Sequence, residues 1–427
     1  MDQQNTLNNP KNRISVVSRP IIPTLQKLMM LYLAVWSISP PMDIDNIYRV
    51  IALGCAVGWF ILAMANGLVL ERIHIYALGF MLMVILINVF QNQGDLSKIM
   101  RPLGYYMLVM TFIMNHSYQN RWEELRILVP VCLVLFIVFN IITFRELIID
   151  PTLSRKIVRA DEEIYPYMRR GVGGYALVYS QVFLFPLLVS WIKNSFKYHR
   201  VNFLIGVIWA ATYIMLILNA GYSIAIVTTI ISLIILLFYN KKSIVPPVII
   251  SLLLIVLLVW LIGYVDPFRE TLLTFFDGTK VARKIEDIYN SLHGKVVADS
   301  IQARIDRYMS SIQTIFAYPF IGGLWFQVGG GHSALLDTFA QFGIWGGYMY
   351  VKMFYCVPVS LKKKSSDKKD LRIANAFLIS LILVTLLDSL PYNMVFPVLI
   401  IAPILINQIH KWRKENEGSL DRQSAAA

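Results

Sequence analysis

Two arginines three residues apart, Arg304 and Arg307, precede a glycine-rich stretch, Gly329-Gly-Gly-His332-Ser333, in the longest polar segment of an otherwise lipid-soluble chain. Residues at i and i+3 share one helix face, so the two guanidinium groups can grip a single anion together. Their planar forks match phosphate oxygens bidentately. His332 carries an imidazole whose ordinary titration range suits general-base work near neutral pH. The glycines before it allow backbone to approach a ligand closely. A cationic pocket beside a titratable base at a membrane surface suits chemistry on a lipid-linked pyrophosphate. His332 and Arg304 are the candidate catalytic residues. Arg307, Tyr308 and Gly331 join them as candidate substrate-binding residues.

A second group lies earlier in the chain. The segment 145–171 mixes Arg145, Arg155, Lys156, Arg159 with Glu146, Asp150, Asp161, Glu162 and Glu163, the pattern of a solvated loop. Arg169 and Arg170 stand apart because Gly171, Gly173 and Gly174 follow them, where the backbone can come close to a ligand. Both are candidate phosphate-binding residues. Tyr222 and Tyr392 fall at turns where aromatic side chains commonly belt a bilayer interface, and Tyr222 is kept as a substrate-binding candidate. Asp388, near the end of an apolar run, could hold an arginine or the histidine in place. Lys98 and Arg101 read as snorkelling side chains.

The elements that must position these residues are membrane helices. The chain is 57% hydrophobic, with a mean hydropathy of +0.59. Apolar runs of bilayer-spanning length recur along it, and their continuity excludes a β-barrel. Lipid requires each backbone polar group to find an internal partner, so the spans must be helical. The reading is an all-α polytopic protein, one integral membrane domain over residues 1–427, with about twelve spans. They are expected near 21–39, 47–66, 76–92, 99–114, 127–144, 173–192, 201–218, 222–239, 244–264, 337–360, 373–390 and 394–409. Lys11, Arg13 and Arg19 favour a cytoplasmic N-terminus, with the first span as an uncleaved signal anchor. Both termini then lie inside, and the basic clusters at 193–200, 241–242, 362–372 and 411–414 all fall in the cytoplasm. Two sizeable loops remain outside, 145–171 and 266–335. The second should contain an amphipathic helix at about 298–317, where Ile301, Ile305, Tyr308, Ile312, Ile315 and Phe316 recur at helical steps and Pro319 stops it. The terminal Ala425-Ala-Ala reads as an appended tail and is set aside.

Several function classes are disfavoured. Cys55, Cys132 and Cys356 sit scattered within apolar runs, unsuited to a disulfide framework or thiolate metal site. No His/Asp/Glu cluster has metal-ligand spacing, so neither metal nor cofactor is expected. The net charge of +13 follows from the cytoplasmic lysine and arginine bias, and no nucleic-acid partner is expected. His74, His116, His199 and His410 fall on the cytoplasmic side, and His293 lies in the outer loop without a motif. An ion-coupled transporter or flippase would need ionisable residues at mid-membrane and usually carries inverted repeats with broken helices. Neither is evident.

At these residues the chain resembles the O-antigen polymerase and ligase superfamily, integral membrane glycosyltransferases of the Wzy and WaaL type. The family pattern reads here as Arg304, Tyr308 (usually Trp), Pro319-Phe-Ile-Gly322, His332-Ser333 and Gly343-Ile-Trp-Gly346. Gly171-Val-Gly-Gly-Tyr175 is also similar to polymerase members. Two departures stand out. The family's Asn after His is Ser333, and the turn Asn219-Ala-Gly-Tyr222-Ser223 lacks the Ser-Arg common in ligases. The second favours a Wzy-type polymerase over a ligase. The resemblance implies a GT-C-like fold in the bacterial inner membrane, with the site facing the periplasm. It implies undecaprenyl-pyrophosphate-linked oligosaccharides as donor and acceptor, membrane lipid around them, and a chain-length regulator as a possible partner. His332 would act as general base or orient the hydroxyl, and Arg304, Arg307 and Arg170 would hold the pyrophosphate. The alternatives are a ligase moving polymer onto lipid A core and a lipid-linked oligosaccharide flippase.

Overall fold

The computed structural model describes residues 21–92, 103–150, 153, 156–157, 162–196, 199–243, 245–278, 280–294, 299–324, 330–364, 367–390 and 392–426. The N-terminal basic residues, Lys98, Arg101, Arg155, Arg159, Asp161, Lys197, Lys295, Gly329 and Pro391, read above from sequence, lie outside them. Most of the described residues are helical, and no strand occurs among them. Among the described residues eight helices are long and apolar enough to cross a membrane: Asn46–Ala65, Arg72–Gln91, Leu128–Ile149, Tyr175–Ser195, Arg200–Ala220, Val245–Tyr264, Lys368–Leu387 and Tyr392–Glu415. Two shorter apolar helices, Ile22–Ile38 and Ser223–Phe238, accompany them. The protein is thus consistent with a polytopic membrane protein, as its composition requires.

Burial separates a centre from a rim. Tyr175–Ser195, Lys368–Leu387 and Tyr392–Glu415 are 78%, 78% and 83% buried, whereas Val245–Tyr264 is only 17% buried and Asn46–Ala65 only 22%. Tyr175–Ser195 packs against both of the other central helices, and the rim helices keep apolar side chains such as Val50, Ile61, Leu253 and Val256 exposed. That is the pattern expected where lipid, not water, solvates the outside. One polar group in the centre pairs across helices. Asn140 and Gln181 exchange amide hydrogen bonds at 2.9 and 2.8 Å, and the Trp209 indole donates to Gln181 Oε1 at 2.9 Å. Such interhelical bonds contribute about 0.6 kcal/mol each on average in membrane proteins, so they fix helix rotation more than they add stability.

The segment read as the second outer loop is itself largely helical. Asp266–Phe275 and Lys280–Leu292 precede the amphipathic helix Asp299–Ala317, which matches the 298–317 expected from periodicity. The predicted tenth span divides. Ala334–Phe354 carries a break at Gly343 (φ 64°, ψ −170°), and a separate helix, Cys356–Lys364, follows Tyr355. A continuous hydropathy trace cannot show the break, because Gly343-Ile-Trp-Gly346 is apolar throughout.

The break is where two loop segments clasp. Gly343 N–H neighbours the Pro319–Gly322 turn so closely that a Cβ on Gly343 would sit 2.2 Å from Phe320 O, and one on Gly322 would sit 2.5 Å from Gly343 N. Ile344 N–H donates to Pro319 O at 2.8 Å and Gly323 N–H to Ala340 O at 2.9 Å. Both glycines have φ near +60°, a region that side chains disfavour. The clasp fastens the C-terminal end of the Asp299–Ala317 helix to the middle of Ala334–Phe354.

Candidate functional site

Arg304, Arg307 and Tyr308 all lie on the Asp299–Ala317 helix, and His332 lies two residues before Ala334–Phe354 begins. The clasp brings these elements side by side. Arg307 Nη1 donates to His332 Nε2 at 3.0 Å. Arg304 is half-buried and within electrostatic reach of Tyr175, Tyr308, His332 and Asp388. Burial, then Arg304 and Arg307, push the His332 pKa down, with Asp337 opposing them. The imidazole is therefore neutral at neutral pH. Because an arginine can only donate, the contact makes Nε2 the acceptor and leaves the ring proton on Nδ1.

The loop holding His332 is tied down by an acid that the sequence reading passed over. Asp337 Oδ2 accepts Gly331 N–H at 2.9 Å and Ser333 N–H at 3.0 Å, and its Oδ1 accepts the Ser311 hydroxyl at 2.6 Å. Three accepted bonds join the glycine loop to both helices. Gly330 makes this possible, since a Cβ there would lie 2.0 Å from Asp337 Oδ1. The available signal was an acid four residues after Ser333, in the first turn of an apolar helix. Its place at the edge of the expected span hid it. Ser333 caps the helix: its Oγ accepts Leu336 N–H at 3.1 Å and donates to Thr385 O at 3.2 Å. Serine and asparagine are comparable N-caps, so the Ser333 departure from the family pattern has a structural reading.

A third element supplies the floor. The Lys368–Leu387 helix ends at Asp388, which is 2% exposed. Its Oδ2 accepts the Tyr179 hydroxyl at 2.6 Å and its backbone oxygen accepts Ala334 N–H at 3.0 Å. Burial raises the Asp388 pKa, while the Tyr179 bond and Arg304 oppose the rise. Tyr308 Oη donates to Leu387 O at 2.7 Å, satisfying a carbonyl at that helix end. Tyr308 therefore anchors the arginine-bearing helix. Tyr222 is buried, with its ring 4.7 Å from Tyr175 and 6.3 Å from Tyr179. Burial, Tyr175 and Asp388 hold its phenol protonated. The tyrosines at 175, 179 and 222 thus form one ring cluster beside Asp388, with Tyr175 its member within electrostatic reach of Arg304.

Arg169 and Arg170 follow a different course. They close the short helix Tyr165–Arg169, both are exposed, and Arg170 lies over the Tyr167 ring at 4.7 Å and donates to Pro166 O at 3.4 Å. Gly171, Gly173 and Gly174 are buried against protein: added Cβ atoms would meet Phe139 at 3.1 Å, Leu177 at 2.3 Å and Ile157 at 2.3 Å respectively. These glycines seat the loop on neighbouring helices and lead the chain to Tyr175. No contact joins the arginine pair to Arg304, Arg307 or His332 among the described residues.

The site occupies one end of the bundle. Asp388 and Asp370 bracket Lys368–Leu387, a helix roughly 30 Å long by its rise per residue. At the Asp370 end, Arg413 pairs with Asp370 and Asp367, Asn375 bonds Lys241 O, and His410 faces Asp370. His74 and His116 contact each other at 3.2 Å near the far end of Leu103–Tyr118. Among the described residues no three His, Cys, Asp or Glu side chains converge on a metal-sized point. No family model matches this chain, and no curated protein matches it.

Proposed function

We propose that the protein is a surface-polysaccharide polymerase, a twelve-span GT-C-like glycosyltransferase of a bacterial inner membrane whose site faces the periplasm. It would join undecaprenyl-pyrophosphate-linked repeat units. The Arg307–His332 contact carries this reading. It couples a base to a phosphate-binding cation, with Arg304 alongside. The concentration of Arg413, Lys241 and Lys411 at the opposite end of the bundle supports the assigned orientation through the positive-inside bias.

The chemistry follows from the geometry. The acceptor sugar hydroxyl attacks the donor anomeric carbon, and a new C–O bond forms there. The bond from that carbon to the pyrophosphate oxygen breaks, and undecaprenyl pyrophosphate leaves with the electron pair. Arg304 and Arg307 stabilise its growing negative charge. Arg307 donates into the lone pair of His332 Nε2. A bound diphosphate draws Arg307 toward itself and frees that lone pair to take the hydroxyl proton. Direct displacement inverts the anomeric centre. Asp337 positions the histidine loop, and Asp388 with Tyr179 holds the floor beneath Arg304.

The test is separate His332→Ala and Arg304→Ala substitution in cells, reading polysaccharide length. Each should leave single repeats on the acceptor while protein levels stay normal. Unchanged ladders would contradict the site assignment, and accumulation of long lipid-linked polymer would indicate a ligase instead.

A further inference from the structure

A cavity of about 240 Å³ opens beside the histidine loop, bounded by Gly331 and Ala334 on either side of His332 and reaching down between helices. Its polar wall is formed by Tyr105, Asp337, Gln341, Tyr350, Ser389 and Tyr392. Neither arginine lines it, and no cationic side chain does. Its one carboxylate, Asp337, already accepts three hydrogen bonds within the fold. The cavity is therefore a poor seat for an anion, in contrast with the guanidinium-bearing groove next to it.

The wall suits a neutral ligand rich in hydroxyls. Tyr350 is only 3% exposed, yet its hydroxyl makes no hydrogen bond to any described residue, and the carboxamide of Gln341 makes none either. Polar groups inside a fold are normally partnered, so the buried Tyr350 and the half-buried Gln341, both lining one cavity, mark positions a ligand completes. Phenols, a carboxamide and a serine hydroxyl each donate and accept, as a sugar hydroxyl does. The Tyr105 and Tyr392 rings pack on each other at 4.2 Å by centroid and close another part of the wall. The volume falls below the roughly 300–1,000 Å³ of drug-sized ligand sites, leaving room for one sugar ring and not an oligosaccharide.

We propose that this cavity is the subsite for a single neutral pyranose, held by Gln341 and Tyr350. Resting on the glycosyl-transfer reading, we assign it to the terminal ring of the acceptor, because two of its lining residues, Gly331 and Ala334, flank in sequence the residue that would take the acceptor proton. The subsite then selects which sugar is extended, while the arginines bind any lipid pyrophosphate.

The test is saturation-transfer NMR on the full chain in nanodiscs, with methyl glycosides of common hexoses and N-acetylhexosamines as probes. The wild type should bind at least one glycoside and discriminate between epimers. Tyr350→Phe and Gln341→Leu should each weaken that binding about tenfold, the weight of one hydrogen bond in a closed site, and blunt the discrimination. Gln341 is half-buried, so its variant keeps the test alive if Tyr350→Phe misfolds. Absence of glycoside binding, or equal affinities in both variants, would overturn the subsite. The two readings fail separately. Transfer at wild-type rate and KM in both variants removes the subsite and leaves the polymerase. Selective sugar binding without any transfer removes the polymerase and leaves the subsite.

Discussion

Arg307 Nη1 lies 3.0 Å from His332 Nε2, so a permanent cation occupies the lone pair that a general base would use. The two residues are 25 apart in sequence and on separate elements, which the Gly322–Gly343 clasp and the Ser311–Asp337 bond hold together. The contact sets a definite protonation state, neutral with the proton on Nδ1; on the proposed mechanism an anion competing for Arg307 would make the base available.

The titration of His332 follows. Burial and the two arginine charges both disfavour the imidazolium, so its pKa in the ligand-free protein should lie below the ordinary value of about 6.5. Removing one positive neighbour in Arg307→Ala should raise it, and adding inorganic pyrophosphate to the wild type should raise it as well. NMR of ¹³C-labelled histidine across pH reads all three. A ligand-free value above the ordinary range would contradict the geometry.

The clasp should be intolerant of side chains. Gly343→Ala must adopt a positive φ and place a Cβ against Phe320 O, a strain of at least about 2 kcal/mol. Gly322→Ala should cost a similar amount by the same mechanism. Because the two residues share one interface, the double variant should lose less than the sum. Thermal unfolding in detergent measures this. Additive losses would mean that the two glycines act independently.

Asp337 divides stability from chemistry in a different way. Asp337→Ala strands two backbone donors and leaves the buried Ser311 hydroxyl only its bond to Arg307 O, a loss of roughly 2–4 kcal/mol, and releases the histidine loop. Asp337→Asn keeps one oxygen for the backbone donors and lets Ser311 accept from the amide, so most stability should return. Melting temperature and transfer rate measured together separate the two variants. Equal behaviour of Ala and Asn would remove Asp337 from its positioning role.

Topology can be checked with single cysteines. Asp306→Cys, beside the arginines, should react with a membrane-impermeant thiol reagent in intact spheroplasts, and Lys363→Cys, at the other end of the bundle, should react only after lysis. Cys55, Cys132 and Cys356 lie in or next to apolar helices and provide a quiet background. The reverse pattern would place the site in the cytoplasm.

Local pattern made part of this legible in the sequence and distance hid the rest. The Asp299–Ala317 helix was readable because its apolar steps and the Pro319 stop are local, and Arg304 and Arg307 sat on it at a spacing that implied a shared face. His332 was readable through its glycines. The partners that give these residues their properties were not. Asp337 looked like the boundary of a span. Tyr179 and Tyr350 were indistinguishable from the many aromatic residues that simply fill an apolar core. Gly343 looked like one more small residue inside a hydrophobic run, because its positive φ is imposed by Phe320, twenty-three residues earlier. Gly171, Gly173 and Gly174 were read as a ligand approach, whereas Phe139, Leu177 and Ile157 occupy the space they leave.

The most direct test uses purified protein in nanodiscs supplied with undecaprenyl-pyrophosphate-linked repeat units, with and without chelator, resolving products by length. The wild type should extend the repeats in both conditions and release undecaprenyl pyrophosphate in step with each linkage formed. His332→Ala should fall by about a hundredfold or more, the usual weight of a positioned base, with Arg304→Ala comparably impaired. Extension by His332→Ala at the wild-type rate, or no extension by a folded wild type, would contradict the assignment of an arginine-held diphosphate and an imidazole base.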